Sequence, residues 1–115
     1  MDFVMKHYFD DSQNGWAVTL SGEVDIFNAE QMKTQLLALI DDKQGRLLID
    51  CKDLKYIDST ALGALVGVLK AVQSYGGEVC LRHVRPNLAK LFKITNLDRV
   101  FTIEGDEYGQ QRLNT

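Results

Sequence analysis

The chain has 115 residues, and its formal net charge of −3 makes it mildly acidic. This length predicts one domain with a hydrophobic core of its own, because a chain of this size buries roughly two-thirds of its unfolded surface. The sequence has no basic block and no stripe of Lys or Arg interleaved with aromatic residues. We therefore expect no nucleic-acid binding.

The first nine residues contain Asp2, Lys6 and His7 and lack the apolar segment of a signal peptide, which predicts a cytoplasmic protein. The apolar run at residues 61–69 is shorter than the roughly 20 residues that cross a membrane, so we expect no membrane partner. Cys51 and Cys80 each lie in an apolar, strand-like run without metal-ligand spacing. This pattern predicts reduced, buried thiols.

Turn and cap residues divide the chain into alternating elements. Asn14-Gly15 predicts the turn of a hairpin, Asn28 can cap the helix that follows it, Gly76 ends the central helix, and Pro86 fits the first turn of the last helix. The predicted strands are residues 3–9, 16–20, 47–51, 78–82 and 100–103, and the predicted helices are residues 29–40, a central helix that starts after Asp58, and residues 86–94.

This order, β-β-α-β-α-β-α-β, predicts an α/β fold. We expect a mixed, mostly parallel sheet of about four to five strands with an N-terminal antiparallel hairpin strand, and three to four helices packed on it. Residues 21–25 are expected to leave the sheet. Residues 1–104 form the predicted domain, and residues 105–115 are expected to be a polar tail or a short frayed helix.

The rest of the chain is organised around residues 47–69, where a strand is followed by Asp58-Ser59-Thr60 and then by a helix without a polar side chain up to Leu69. Asp, Ser and Thr cap helix N-termini because their oxygens accept hydrogen bonds from unpaired backbone N–H groups. Open α/β sheets keep functional residues at this end of their strands. The helix is apolar on two faces, so either the fold itself or a partner covers the second face.

Catalytic and metal-binding patterns are missing from the sequence. No Gly-rich phosphate loop has standard spacing, and His7 and His83 lie on predicted strands that are remote in sequence. Ser59 has no evident His partner that could activate it as a nucleophile. We therefore expect no enzyme activity, no cofactor and no metal.

Asp25, Asp58, Ser59 and Thr60 have two interpretations. In the structural one, Asp58 or Ser59 caps the helix and Asp25 ends a strand. In the functional one, a hydroxyl at the helix N-terminus accepts a phosphoryl group, which adds about −1.5 to −2 charge beside the carboxylates. One such repulsion at about 4 Å is on the order of 1–4 kcal/mol. Residue types alone leave both interpretations open.

The stretch Ile57-Asp58-Ser59-Thr60-Ala61-Leu62-Gly63 closely resembles the phosphorylation motif of bacterial STAS-domain anti-sigma factor antagonists. Three other segments resemble this family in the same order along the chain. They are residues 22–25, residues 75–78, and residues 92–98 with Val100-Phe101. Because the resemblance covers nearly the whole chain, it implies the STAS fold.

The resemblance also implies a function. An antagonist of this family binds an anti-sigma factor serine kinase of the histidine-kinase-like ATPase type and so frees a sigma factor. Phosphorylation, here at Ser59 with Thr60 as the alternative acceptor, dissociates the complex, and a serine phosphatase resets it. The residues that the resemblance assigns to the partner surface are Asp25, Asp58, Thr60, Ala61, Leu62 and Gly63.

Two alternatives remain open from the sequence. One is a STAS adaptor or scaffold, in a stress-signalling assembly or a lipid-transport complex, whose serine is not a switch. The other is a small enzyme of a flavodoxin-like α/β type, which requires a cofactor pocket that the sequence does not indicate.

Overall fold

The structure, a computed structural model, describes residues 2–104. The predicted tail at residues 105–115 lies outside the described residues. Within residues 2–104 the chain forms six strands, three α-helices and two short 3-10 turns. The strands are β1 (Phe3–Asp10), β2 (Gly15–Val24), β3 (Arg46–Asp50), β4 (Leu54–Ile57), β5 (Val79–Arg82) and β6 (Thr102–Glu104). The α-helices are α1 (Ala29–Asp42), α2 (Ser59–Gln73) and α3 (Pro86–Ile94), and the turns are Asp11–Gln13 and Leu97–Arg99.

The strands form one mixed sheet in the order β1-β2-β3-β5-β6, with β4 paired to β2 beyond the end of β3. β1 and β2 are antiparallel and are joined at the Asn14-Gly15 turn, and the other pairs are parallel. This arrangement confirms the predicted α/β class, the N-terminal antiparallel strand and the otherwise parallel sheet. The end of β2 and the end of β4 lie side by side, because Val24 pairs with Ile57.

Two parts of the sheet differ from the prediction. β4 is an additional strand, which the sequence pattern misses because only Leu54 and Ile57 of its four residues are buried. β2 continues to Val24, so the expectation that residues 21–25 leave the sheet is wrong for all but Asp25. In both cases the pairing of β2 with β4, which joins segments remote in sequence, decides the structure.

Gly22 lets β2 change its partner within the sheet. Its φ of +95° lies in the region that favours glycine, and a Cβ there would lie 2.4 Å from the backbone oxygen of Asp2. The register of β2 shifts between Gly22 and Glu23. β2 pairs with β3 up to Thr19 and with β4 from Gly22 onward. The change directs the end of β2 toward the start of α2.

The core lies between the sheet and the helices, and α1 packs against α2. Ala64 and Val68, on the second apolar face of α2, are buried. At Gly67 a Cβ would lie 3.0 Å from the end of the Lys33 side chain of α1, so this side chain covers α2 there. The fold itself therefore covers most of this face. Gly63 is different, since a Cβ there would meet nothing within 4 Å.

Candidate functional site

Asp58 connects the start of α2 to the segment that follows β2. Its backbone is extended, and its Oδ1 accepts a hydrogen bond from the Ala61 N–H at 2.9 Å, which makes it the N-cap. Its Oδ2 accepts a second bond from the Ile26 N–H at 3.0 Å. Its own N–H donates to the Val24 carbonyl at 3.2 Å. The predicted helix cap is confirmed at Asp58, and the same carboxylate also holds a segment 32 residues away.

The segment between β2 and α1, residues 25–28, is here called the β2–α1 loop. Asn28 is 8% exposed, and its Oδ1 accepts a hydrogen bond from the Asp25 N–H at 2.8 Å. Its Nδ2 donates to the Glu23 carbonyl at 3.1 Å, while Asp25 Oδ1 accepts from the Phe27 N–H at 2.9 Å. Asn28 occupies the N-cap position of α1 without a side-chain cap bond. The predicted N-cap position is therefore confirmed, but the side-chain cap bond does not form because the amide faces the loop instead.

Asp25 and Asp58, which the sequence singles out together, both belong to this region: Asp25 is the first residue of the β2–α1 loop, and Asp58 bonds to its second residue, Ile26. Ser59 and Thr60 form the first turn of α2, and both are exposed. Within residues 2–104, neither hydroxyl forms a hydrogen bond with another residue. Ser59 is therefore accessible, beside a carboxylate and at the positive end of a helix dipole.

Ala61 and Leu62 do not lie on the exposed surface where they were expected. They are 0% and 8% exposed, because their positions on α2 turn their side chains into the core. The exposed side of the first turns of α2 is formed by Ser59, Thr60 and Gly63. The assignment of Ala61 and Leu62 to a partner surface is thus corrected.

The sequence interpretation missed Ile26 and Phe27. Their side chains are 65% and 93% exposed, although both residues are large and apolar. They lie next to the α2 N-terminus through the bond between Ile26 and Asp58. One signal could have identified them: two apolar residues stand between Asp25 and Asn28, outside the stripe of any strand or helix.

The histidines and acidic side chains of the described residues form no metal-binding cluster. No group of three or more His, Cys, Asp or Glu between residues 2 and 104 could hold a metal ion. His7 packs against Trp16, and His83 Nδ1 lies 3.1 Å from Asp50 Oδ1, so the two histidines serve separate local contacts.

The two cysteines are free and buried, as expected. Burial raises the pKa of the Cys51 thiol to about 12. Burial, followed by the neighbouring Glu104 carboxylate, raises the pKa of Cys80 to about 11. Both thiols are therefore protonated at neutral pH and poor nucleophiles. Among the described helices, none is both long and apolar enough to cross a membrane.

Comparison with known proteins identifies the family. The family model of the STAS domain matches residues 9–108 of this sequence. The anti-sigma-B factor antagonist of Bacillus subtilis (strain 168) is 35% identical over 99 residues, which are 85% of this chain and 89% of that protein. The anti-sigma-B factor antagonist of Staphylococcus aureus (strain NCTC 8325 / PS 47) is 30% identical over 93 residues, 80% of this chain and 86% of that protein.

A solved structure supports the same assignment. A Thermotoga maritima protein described as an anti-sigma factor antagonist superposes with a TM-score of 0.76 at 25% identity. The superposition covers 96% of this chain and 92% of that one. An antagonist acts by binding, which agrees with the expectation that the chain is not an enzyme. The chain belongs to the STAS domain family and, within it, to the anti-sigma factor antagonists.

Proposed function

We propose that this antagonist binds an anti-sigma factor serine kinase of the histidine-kinase-like ATPase type, and so frees a sigma factor in the cytoplasm. The proposed contact surface is the start of α2 together with the β2–α1 loop. Phosphorylation of Ser59 ends the binding, and a serine phosphatase restores it. The observation that carries this proposal is the exposed Ser59 hydroxyl, which has no hydrogen-bond partner within residues 2–104. It directly follows Asp58, whose carboxylate bonds to the loop that exposes Ile26 and Phe27.

The geometry supports a switch that leaves the fold intact. A phosphate on Ser59 would lie at the N-terminus of α2, where the helix dipole stabilises negative charge. It would add about −1.5 to −2 charge beside the Asp58 carboxylate and on the proposed contact surface. A repulsion between this charge and a partner carboxylate at about 4 Å is on the order of 1–4 kcal/mol and exists only in the complex. About 5.5 kcal/mol moves a two-state equilibrium almost completely, so two such repulsions are of the right size for a switch.

Phosphorylation tests the proposal most directly. The protein is incubated with ATP, Mg²⁺ and each histidine-kinase-like ATPase of its own source, and phosphopeptides are identified by mass spectrometry. We expect one phosphate on Ser59, none in Ser59→Ala, and an unchanged result in Thr60→Ala, which removes the neighbouring exposed hydroxyl. Phosphate on Ser59→Ala but not on Thr60→Ala would assign the acceptor to Thr60 instead. Absence of phosphate with every kinase would contradict the switch.

A constitutive STAS adaptor is the second candidate, and one observation favours it. Both carboxylate oxygens of Asp58 already have structural roles, one as the α2 cap and one as the acceptor for Ile26. The Asp-Ser pair would then be explained without phosphorylation. A partner that binds the unmodified chain and Ser59→Asp with equal affinity would favour the adaptor over the switch.

A further inference from the structure

The β2–α1 loop exposes more apolar surface than the fold requires. Phe27, at 93%, is the most exposed large hydrophobic residue between residues 2 and 104, and its neighbour Ile26 is 65% exposed. Full burial of a large apolar side chain is favourable by about 1.5–3 kcal/mol of free energy. Ile26 and Phe27 are not buried within the domain, so a contact with another molecule could bury them and be stabilised by this free energy.

The loop is held in one conformation by its own hydrogen bonds. All four of its backbone N–H groups have partners: Asp25 donates to Asn28 Oδ1, Ile26 to Asp58 Oδ2, Phe27 to Asp25 Oδ1, and Asn28 to the Asp25 carbonyl at 3.1 Å. Asn28 contributes from the α1 side, and Asp58 contributes from the α2 side. A surface that is ordered before binding loses less conformational entropy when it binds.

We infer that Ile26 and Phe27 form a preorganised apolar anchor that enters an apolar pocket of the kinase, and that Asn28 is the residue that positions it. This inference rests on the proposed function and adds the chemistry of the partner surface. The anchor is the loop part of the proposed contact surface, and it is tied to the Ser59 part because Asp58 bonds to Ile26 and directly precedes Ser59. A small number of buried side chains usually supplies most of the binding energy at an interface, and aromatic residues are frequent among them.

The anchor also gives a reason why one phosphate releases the partner. A phosphate on Ser59 enters the same contact as Ile26 and Phe27, where the partner surface is apolar. Burial of an unpaired charge against such a surface is strongly unfavourable. The partner therefore loses contact with the anchor when Ser59 is modified, although the loop itself keeps its hydrogen bonds.

The first experiment measures the positioning role without a partner. Amide hydrogen exchange is compared between the wild-type chain and Asn28→Ala. We expect faster exchange at Asp25, Ile26 and Phe27 in the variant, while the core strands β3 and β5 stay protected. Asn28→Asp keeps an oxygen that can accept from the Asp25 N–H, so it restores protection at Asp25. Unchanged exchange across the loop in Asn28→Ala would overturn the positioning role.

The second experiment measures affinity for the kinase that phosphorylates Ser59, by calorimetry with purified proteins. Phe27→Ser and Ile26→Ser are each expected to weaken binding about 10- to 100-fold, from the loss of one buried apolar side chain. The matched controls are Tyr8→Ser and Ile94→Ser, which remove side chains that are 65% and 68% exposed on β1 and at the end of α3. Both controls should bind within about twofold of wild type, as surface substitutions away from a contact usually do.

The outcomes separate this inference from the proposed function. If the kinase binds all four variants as well as it binds the wild-type chain, the anchor is wrong and the proposed function stands. If no kinase of this type binds or phosphorylates the wild-type chain, the proposed function fails, and the anchor as assigned to a kinase fails with it. If Ile94→Ser weakens binding as much as Ile26→Ser, the contact lies elsewhere and the anchor is again wrong.

Discussion

Two aspartates of this molecule begin helical turns, and each has a serine close by in sequence. Asp10 caps the 3-10 turn after β1, and it accepts hydrogen bonds from both the N–H and the hydroxyl of Ser12, at 3.0 and 2.6 Å. Asp58 caps α2, and it accepts from one N–H of that helix and from the N–H of Ile26. The Ser59 hydroxyl stays exposed and unbonded within the described residues.

The two caps differ in the residues that donate hydrogen bonds to the aspartate. The bonds of Asp10 are local, two residues along the chain, and they occupy its serine. Asp58 is bonded to a segment 32 residues away, which ties a loop with two exposed apolar side chains to the cap that directly precedes Ser59. An Asp followed closely by a Ser therefore indicates a cap, and only the tertiary contacts make one of the two pairs a candidate site.

The largest expected effect is on binding. Ser59→Asp places a negative charge on the proposed contact surface, and one repulsion on the order of 1–4 kcal/mol against the partner corresponds to affinity for the kinase about 5- to 1000-fold lower. Ser12→Asp adds the same charge at the other cap and should leave the affinity unchanged. Calorimetric titration of both variants checks this. Equal losses in the two variants would mean that net charge, not position, decides the binding.

A smaller effect is expected on stability. Asp58→Ala removes an N-cap and the bond to Ile26, which together are worth about 1–3 kcal/mol of unfolding free energy. Asp10→Ala removes only local, solvent-exposed bonds and should change the free energy much less. Urea denaturation of both variants measures the difference. Asp58→Asn is the conservative control, since asparagine also caps helices, and it should lose less than Asp58→Ala.

Much of the fold follows from local chemistry that the sequence displays. Pro86 at the first turn and the apolar stripe behind it predict α3 with the bounds that the structure has. Asn14-Gly15 predicts the β1–β2 hairpin, and Asp58 predicts the start of α2. In each case the side chain or backbone preference acts within a few residues, so that no knowledge of distant contacts is required.

The parts that the sequence does not predict depend on contacts between remote segments. β4 exists because the second half of β2 pairs with it, and the register of β2 shifts after Gly22, within the segment that the sequence predicts to leave the sheet. Asn28 turns its amide toward the loop rather than the helix. The role of Ser59 as phosphate acceptor stays a prediction, because accessibility and resemblance support it but chemistry has to test it.

The exposure of the α2 surface near Ser59 can be tested by substitution of the two glycines of this helix. Gly63→Ala should stabilise the chain by about 0.5–1 kcal/mol, because alanine is the better helix former and the added methyl meets open space. Gly67→Ala should gain less, since its Cβ would lie 3.0 Å from the Lys33 side chain and must displace it. Urea denaturation distinguishes the two. A larger gain at Gly67 would contradict the described packing of α1 on α2.

The smallest effect concerns titration at the Asp10 cap. The Ser12 hydroxyl is the largest cause that holds the pKa of Asp10 below its ordinary value of 3.8. Because the folded pKa lies below the unfolded one, ionised Asp10 contributes stability at pH values above about 3.8, and this contribution is lost as the pH falls through the folded pKa. Ser12→Ala should therefore raise the pKa of Asp10 toward 3.8, as followed by NMR of the carboxyl carbon.

Ser59→Ala serves as the matched control for that titration, because it removes a hydroxyl that bonds to no aspartate within the described residues. It should leave the titration of Asp10 as in the wild-type chain. If Ser59→Ala shifts the pKa of Asp10 as much as Ser12→Ala does, the Ser12 hydroxyl is not the cause of the lowered pKa, and the local bond would no longer separate the Asp10 cap from the Asp58 cap.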